Sequence, residues 1–216
     1  SALNKDAIAN LRSENTKGEI VNTKYNTSKD AIEIASTMKS ELVRSLSLPK
    51  NYGLISIHRT ELLERKKELE EFLRIISKHI SSNNKMVFLD HSTTKEKLRV
   101  LHFDHYLNNK NLIRIPKLAY FDFIQVAKGA KYILTDSGGL QEDAYFLGVP
   151  TLIHRLATER SEGLGSNVEL SYLSGEKLEE FIDQNTHNNT PPAVLRDTVS
   201  PSKIVMKWLK QNNYLK

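Results

Sequence analysis

The chain has 216 residues, of which 39% are hydrophobic and 26% are charged. This composition is typical of a globular protein and excludes a disordered tail or a fibrous repeat. The chain has no cysteine, which excludes disulfides and thiolate metal sites. The formal net charge is +5, but the basic residues are spread along the chain, so no nucleic-acid partner is predicted. The apolar runs are short, so no membrane-spanning helix is predicted either.

Short apolar runs rich in β-branched residues alternate with longer segments of helical period. The apolar runs predict buried strands at 19–22, 53–57, 85–89, 112–115, 132–134 and 150–153. The periodic segments predict helices at 5–15, 28–46, 62–80, 93–107, 119–129, 139–147, 176–184 and 202–212. This alternation predicts an α/β fold with a parallel sheet and helices on both faces. Ligands of such folds bind at the carboxyl ends of the strands, so the residues after each strand are the candidates for chemistry.

Two glycines follow the predicted strand at 132–134, in the sequence Thr-Asp-Ser-Gly-Gly before a helix. Glycines allow the backbone to approach a ligand closely, and free N–H groups at a helix N-terminus favour an anion. Ser137, Gly138 and Gly139 are therefore candidates for binding a diphosphate. The same glycines would also serve the geometry of an ordinary strand-to-helix turn, and this alternative stays open.

Glu142 and Asp143 lie one turn into that helix. An acidic side chain does not favour phosphate, so one of the two is predicted to accept hydrogen bonds from sugar hydroxyls. The alternative is that they only compensate the positive end of the helix dipole.

His58 and Arg59 follow the predicted strand at 53–57. Arg59 could meet a phosphate, and His58 could hydrogen-bond a substrate or move a proton. The alternatives are that His58 caps the next helix and that Arg59 pairs with Glu61.

Arg160 follows the last predicted strand and could reach an anionic ligand, or it could form a surface ion pair with Glu159 or Glu162. Phe123 could stack on a base or belong to the core.

His102 and His105 have a spacing that can hold a metal, but further ligands are missing, so no metal is predicted. Asp90-His91 after the third buried strand is interpreted in the same way.

Taken together, these segments resemble one family, the non-hydrolysing UDP-N-acetylglucosamine 2-epimerases. TDSGGLQEDAYFLGVPTLIHRLATERSEG at 135–163 is similar to the family signature TDSGG-[IL]-QEEA…TERPE. SIHRTE at 56–61 resembles the family's HR-x-E-N segment, and KYNTSKDAI at 24–32 resembles TGNTxxDAL. The order and rough spacing agree over nearly the whole chain.

The resemblance implies one half of a glycosyltransferase-B fold, the arrangement of two Rossmann-like domains also found in UDP-glycosyltransferases and glycogen phosphorylase. Residues 1–27 would be the last helix and strand of an N-terminal domain that is otherwise missing from the sequence. Residues 28–200 would be the C-terminal UDP-binding domain, and residues 201–216 a helix packing back across the domains.

The resemblance also assigns roles to residues of this sequence. Ser137, Gly138 and Gly139 match the phosphate-binding turn, and Asp143 matches the residue that holds the ribose. Phe123 and Leu118 match contacts to the uracil, Arg160 matches a substrate contact and His58 the active-site histidine. Five positions depart from the pattern: Asp143 replaces Glu, Leu62 replaces Asn, Ser161 replaces Pro and Lys24-Tyr25 replaces Thr-Gly.

The function implied is a cytoplasmic isomerase of cell-surface polysaccharide biosynthesis, interconverting UDP-N-acetylglucosamine and UDP-N-acetylmannosamine. In the family UDP is eliminated to a 2-acetamidoglucal and then added back, with neither metal nor cofactor. The carboxylates that move the C2 proton lie in the N-terminal domain, so we expect this chain alone to bind UDP without turnover. The family is commonly dimeric, which implies a homodimer. Two alternatives stay open: a sugar transferase domain of the same architecture, and a non-catalytic module that binds nucleotide sugars.

Overall fold

A parallel six-stranded sheet forms the centre of the protein in the computed structural model, which describes residues 5–187 and 197–215. The strands are β1 (Gly53–Ser56), β2 (Met86–Asp90), β3 (Leu112–Pro116), β4 (Tyr132–Thr135), β5 (Thr151–Ile153) and β6 (Val168–Leu170). Their order across the sheet is β3-β2-β1-β4-β5-β6, with every neighbouring pair parallel. The chain therefore places β2 and β3 on one side of β1, and then β4, β5 and β6 on the other side.

Helices connect and flank these strands. Over the described residues they are α1 (Lys5–Ser13), α2 (Ser28–Thr37), α3 (Glu41–Ser45), α4 (Thr60–Leu63), α5 (Lys66–His79), α6 (Ser92–Leu101), α7 (Tyr120–Gly129), α8 (Gly138–Leu147), α9 (Gly175–Thr186) and α10 (Pro201–Gln211). A short 3-10 helix, Asp104–Leu107, follows α6. The helix-covered parallel sheet is the Rossmann-like α/β fold that the sequence predicts.

The core lies between the sheet and its helices. Leu69, Phe72, Leu73 and Ile76 of α5 are fully buried at the spacing of one helix face, and β1, β2 and β4 are apolar on both faces. Strands buried on both faces are continuous apolar runs, and this is why the sequence predicts their positions so closely.

The chain divides into two compact units. One comprises Ser1–Thr37 with Arg196–Lys216, and the other, Met38–Leu195, contains the whole sheet. Within the first unit α2 packs on α10, and Asp30 accepts a hydrogen bond of 2.7 Å from the backbone amide of Ser202. The domain boundaries predicted at residues 28 and 201 stay predictions.

Two predictions about the first 46 residues are wrong. No strand forms at 19–22, where Asn22 takes part only in an isolated bridge, because an apolar run becomes a strand only beside a partner strand. The helix predicted at 28–46 is two helices, α2 and α3. The second, α3, begins at Glu41 after its N-cap residue Ser40, whose hydroxyl accepts a hydrogen bond from the amide of Val43.

Three further elements differ from the sequence interpretation. Strand β6 is not predicted from the sequence, because the exposed Glu169 in its centre interrupts the apolar run. The helix predicted at 93–107 ends at Leu101, where His102 adopts a left-handed conformation with φ of 58°. The helix predicted at 62–80 is divided into α4 and α5.

Gly53 provides a test of how tightly the sheet is packed against its helices. Gly53 pairs with Tyr132 in register, and a Cβ there would lie 2.4 Å from the buried Tyr132 ring. We expect Gly53→Ala to lower the free energy of unfolding by about 1–3 kcal/mol, because the ring has no room to move. Urea denaturation measures this, with Gly139→Ala as the control, since a Cβ at Gly139 meets nothing closer than 3.8 Å. Equal stability of the two variants would contradict the prediction.

Candidate functional site

A cavity of about 300 Å³ opens at the carboxyl ends of the central strands. Strands β1 and β4 are neighbours there, and the connections from them run to opposite sides of the sheet, which is where parallel α/β folds bind ligands. The cavity is lined by Ser56, His58, Leu89, His91, Lys117, Leu118, Tyr120, Phe123, Ser137, Gly139, Leu140 and Asp143.

The N-terminus of α8 forms one wall of this cavity. Ser137 is its N-cap residue, and the Ser137 hydroxyl oxygen accepts a hydrogen bond of 3.4 Å from the amide of Leu140. Gly139 lines the cavity and leaves the space beside the first turn open. Gly138 faces the other way, since a Cβ there would lie 2.6 Å from the Glu159 carboxylate. An anion can therefore approach the first turn of α8 from the side of Gly139.

Asp136 ties the end of β4 to the end of β1. Its fully buried carboxylate accepts hydrogen bonds from the backbone amides of His58, at 3.0 Å, and Arg59, at 2.7 Å. Burial raises the pKa of Asp136, while these amides and the nearby His58 ring oppose the rise. His58 Nδ1 lies 3.6 Å from Asp136 Oδ1, too far for a hydrogen bond, and has no other partner among the described residues. The Asp136 carboxylate thus fixes the backbone that follows β1. The His58 imidazole, which lines the cavity, remains able to hydrogen-bond.

His91 joins His58 at the cavity wall. The two imidazole rings stack with centroids 4.5 Å apart, and His91 Nε2 lies 3.1 Å from the Ser56 hydroxyl oxygen. Burial, His58 and Lys117 together lower the pKa of His91 to about 4. His91 is therefore neutral at pH 7. No role is predicted for His91 from the sequence, yet the parallel pairing of β1 and β2 brings it to the cavity, because the ends of these strands lie at the same edge of the sheet.

Asp143 is the acidic residue that faces the cavity. It is buried, and the Tyr120 hydroxyl donates a hydrogen bond of 3.1 Å to its Oδ1. Burial raises the pKa of Asp143 to about 7, and Glu142 adds to the rise, whereas Tyr120 and Arg160 lower it. The cavity therefore presents a hydrogen-bond acceptor whose charge changes near neutral pH.

Glu142 and Arg160 form an ion pair outside the set of residues that line the cavity. The Arg160 guanidinium contacts the buried Glu142 carboxylate, and neither Glu159 nor Glu162, the two alternatives from the sequence, is its partner in the salt bridges of the described residues. Arg160 Nε is buried without a partner there. The Gln141 amide donates 3.0 Å hydrogen bonds to the carbonyls of Arg160 and Glu162, and so holds this loop against α8.

A second charge network holds the same loop to the start of α4. Arg155 pairs with Glu61 at 3.0 Å and with Glu159 at 2.7 Å, and Arg59 lies 3.8 Å from Glu159. Arg59 thus pairs with Glu159, and the predicted alternative of a pair with Glu61 is wrong. These pairs join residues that are far apart in sequence, because the loops after β1 and β5 meet in space.

The structure brings together most of the residues that the sequence singles out. The residues His58, Leu118, Phe123, Ser137, Gly139 and Asp143 line one cavity, whereas Gly138 and Arg160 lie beside it. Sequence reasoning missed Ser56, Leu89, His91, Lys117, Tyr120 and Leu140. Ser56, Leu89, His91 and Lys117 lie at or just after predicted strands, and this position was the available signal. Tyr120 and Leu140 lie in the first turns of α7 and α8, and nothing in the sequence pattern separates them from ordinary helix residues.

Neither a metal centre nor a membrane segment appears in the part of the chain that the structure describes. Within 5–187 and 197–215, no three His, Cys, Asp or Glu residues are placed to hold a metal ion. None of the helices described is both long and apolar enough to cross a bilayer.

Comparisons with known proteins agree on one family. A family model described as UDP-N-acetylglucosamine 2-epimerase matches residues 1–194. The UDP-N-acetylglucosamine 2-epimerase of Methanocaldococcus jannaschii is 35% identical over 152 residues, which are 67% of this chain and 40% of that protein. A homolog of this enzyme from Methanococcus maripaludis is 35% identical over 186 residues, which are 82% of this chain and 50% of that protein. The chain thus spans about half the length of these curated relatives.

Solved structures show the same fold. The crystal structure of the M. jannaschii UDP-GlcNAc 2-epimerase in complex with UDP-GlcNAc and UDP superposes with a TM-score of 0.78 at 30% identity. This match covers 97% of this chain and 60% of that one. A UDP-N-acetylglucosamine 2-epimerase from Rickettsia bellii superposes with a TM-score of 0.74 at 24% identity, over 98% of this chain and 59% of that one, and shows the fold alone. The predicted fold class, one Rossmann-like half of a glycosyltransferase-B arrangement, is confirmed.

Asp143 gives the site a measurable pH dependence. The pKa of Asp143 is near 3.8 in the unfolded chain and about 7 in the folded chain. Between about pH 4 and about pH 7 the folded chain therefore keeps a proton on Asp143 that the unfolded chain has lost. The free energy of unfolding therefore falls as pH rises through this window. We expect Asp143→Asn to gain stability relative to the wild type, by on the order of 2 kcal/mol between pH 5 and pH 8. Urea denaturation at both pH values measures it, and a difference that does not change with pH would contradict the assignment.

Proposed function

Because the chain belongs to the UDP-N-acetylglucosamine 2-epimerase family, we propose that its cavity binds the UDP part of a UDP-N-acetylhexosamine. The observation that carries this proposal is the position of the α8 N-terminus, which opens on the cavity beside Gly139 while Asp143 faces the same space. An anion-binding turn and a hydrogen-bond acceptor in one apolar-walled cavity fit a nucleoside diphosphate.

The diphosphate belongs at the first turn of α8. Backbone N–H groups there lack partners within the helix, and the helix dipole places partial positive charge at this end. The Ser137 oxygen accepts from Leu140, which leaves the hydroxyl proton to donate to a phosphate oxygen. Gly139 has no side chain to keep the phosphate away.

The nucleoside belongs at the other end of the cavity. Leu118 and Phe123 supply apolar surface for a uracil ring, and Asp143 supplies an acceptor for ribose hydroxyls. Arg160 lies next to the first turn of α8, since a Cβ on Gly138 would lie 3.5 Å from its Nε, and in this proposal its guanidinium contacts the phosphates.

The reaction proposed is inversion at C2 of the sugar. A base removes the C2 proton as the C1–O bond breaks, which releases UDP and leaves a 2-acetamidoglucal with a C1–C2 double bond. An acid then adds a proton to the opposite face of C2 as UDP adds back to C1. The leaving diphosphate gains negative charge, which the amides of the α8 N-terminus stabilise. His58, beside the cavity, hydrogen-bonds the sugar or the bridging oxygen in this proposal.

The proton transfers at C2 need a base and an acid on opposite faces of the sugar. The family resemblance assigns them to carboxylates of an N-terminal domain, so we propose that turnover requires this domain as a partner and that the present chain binds UDP alone. The domain boundaries at residues 28 and 201 belong to this proposal.

Calorimetric titration of the chain with UDP, UMP and GDP tests the binding site. UDP should bind at least about tenfold more tightly than UMP, because the second phosphate adds charge-assisted hydrogen bonds. GDP should bind more weakly than UDP, because a purine does not fit beside Leu118 and Phe123.

Two matched serine variants separate binding from folding. Ser137 and Ser174 are both N-cap residues, and their hydroxyls accept amide hydrogen bonds of 3.4 and 3.3 Å. We expect Ser137→Ala to weaken UDP binding about tenfold, and Ser174→Ala, at the start of α9, to leave it unchanged. Equal affinities for UDP and UMP, or equal effects of the two variants, would remove support for a diphosphate at α8.

Incubation with UDP-N-acetylglucosamine in D₂O tests the need for a second domain. The chain alone should leave the C2 position free of deuterium, as followed by proton NMR. Incorporation of deuterium would mean that this chain holds its own base for C2.

A further inference from the structure

Tyr120 connects two walls of the cavity. It is the first residue of α7, its ring lines the cavity, and its hydroxyl donates a hydrogen bond of 3.1 Å to Oδ1 of Asp143 on α8. The Asp143 side chain is only 8% exposed, so its rotation is limited by packing and by this hydrogen bond.

We propose that Tyr120 is a positioning residue for ribose recognition: its hydroxyl holds Oδ1 of Asp143, so that Oδ2 accepts hydrogen bonds from the ribose hydroxyls. This inference rests on the proposed function, since it assigns the nucleoside end of the same cavity. Tyr120 is not among the residues that the sequence or the family resemblance assigned.

The length of the aspartate side chain makes such a support necessary. Asp143 is one methylene shorter than the glutamate that the family signature has at this position, so its carboxylate stays closer to the helix. A carboxylate that is free to rotate loses conformational entropy when it binds a hydroxyl. The Tyr120 hydroxyl already donates to Oδ1 and so removes part of that cost before the ligand binds. Such preorganisation increases the affinity for the ribose.

Among the described groups around Asp143, Tyr120 is the one that donates a side-chain hydrogen bond to its carboxylate. Glu142, the preceding residue of α8, repels the carboxylate, and Arg160 attracts it but is engaged with Glu142. His58 and Lys117 line the same cavity. The Tyr120 hydroxyl lowers the pKa of Asp143, against the larger effect of burial, and so favours the ionised form that accepts from ribose.

The experiment compares Tyr120→Phe with Tyr106→Phe. The Tyr106 hydroxyl also donates to a carboxylate, Oε1 of Glu70, at the same distance of 3.1 Å, and it does not line the cavity. Both variants keep the ring and remove only the hydroxyl. Calorimetry measures the ratio of affinities for UDP and for 2′,3′-dideoxy-UDP, which lacks both ribose hydroxyls.

The wild type should prefer UDP, and Asp143→Asn should lose most of this preference. Tyr120→Phe should reduce the preference by about three- to tenfold, the range of one hydrogen bond, while affinity for the dideoxy nucleotide stays near the wild-type value. Tyr106→Phe should leave both affinities unchanged. A preference in Tyr120→Phe equal to that of the wild type would overturn the positioning role.

A second measurement needs no ligand. In the free chain, the carboxyl carbon signal of Asp143 followed by NMR should titrate at higher pH in Tyr120→Phe than in the wild type, and Tyr106→Phe should not change it. An unchanged titration in Tyr120→Phe would overturn the proposal even if the variant binds UDP weakly for another reason. Failure of the wild type to bind UDP, with a shifted titration, would instead contradict the proposed function and the ribose role together.

Discussion

The buried carboxylate of Asp136 is the interaction on which the geometry of the cavity depends. It lies at the end of β4 and accepts hydrogen bonds from the amides that follow β1, at His58 and Arg59. Thr135, at the end of β4, adds a hydrogen bond of 2.6 Å to the carbonyl of Ser56. Neighbouring parallel strands twist relative to each other and would separate beyond their last ladder hydrogen bond. These contacts keep the segments that follow β1 and β4 together. Ser137 follows immediately, so the position of the α8 N-terminus depends on the same carboxylate.

Charge pairing around the cavity determines which groups a ligand would meet. Glu142 is buried but pairs with Arg160, and Glu61 pairs with Arg155. Breaking such pairs is costly, because one partner would remain as an uncompensated charge away from water. Among the described residues, Asp143 accepts a hydrogen bond from the neutral Tyr120 hydroxyl and forms no salt bridge. The acidic residues of α8 thus divide into one that holds the loop of Arg160 and one that faces the cavity.

The two ends of the cavity differ in chemistry in a way that matches the two ends of a nucleoside diphosphate. The end at α8 offers backbone amides, the Ser137 hydroxyl and a glycine, which suit phosphate oxygens. Leu118 and Phe123 supply apolar surface and Asp143 supplies an acceptor, which suit a base and its ribose. His58 and His91 stack after the ends of β1 and β2 and line the cavity. In the proposed function the sugar lies near these two rings, and a second domain completes the site.

The sequence by itself determined the Rossmann-like fold, since strands buried on both faces are continuous apolar runs and their helices have a clear period. It also located Ser137, Gly139 and His58, because they directly follow strands and strand ends meet at one edge of a parallel sheet. The tertiary structure alone decided the ion-pair partners, with Arg160 on Glu142 and Arg155 on Glu61, and the inclusion of His91 and Tyr120 in the cavity. The physical reason is that helix and strand patterns depend on neighbours along the chain. Charge pairing and cavity walls instead depend on loops far apart in sequence, which only the packed sheet brings together.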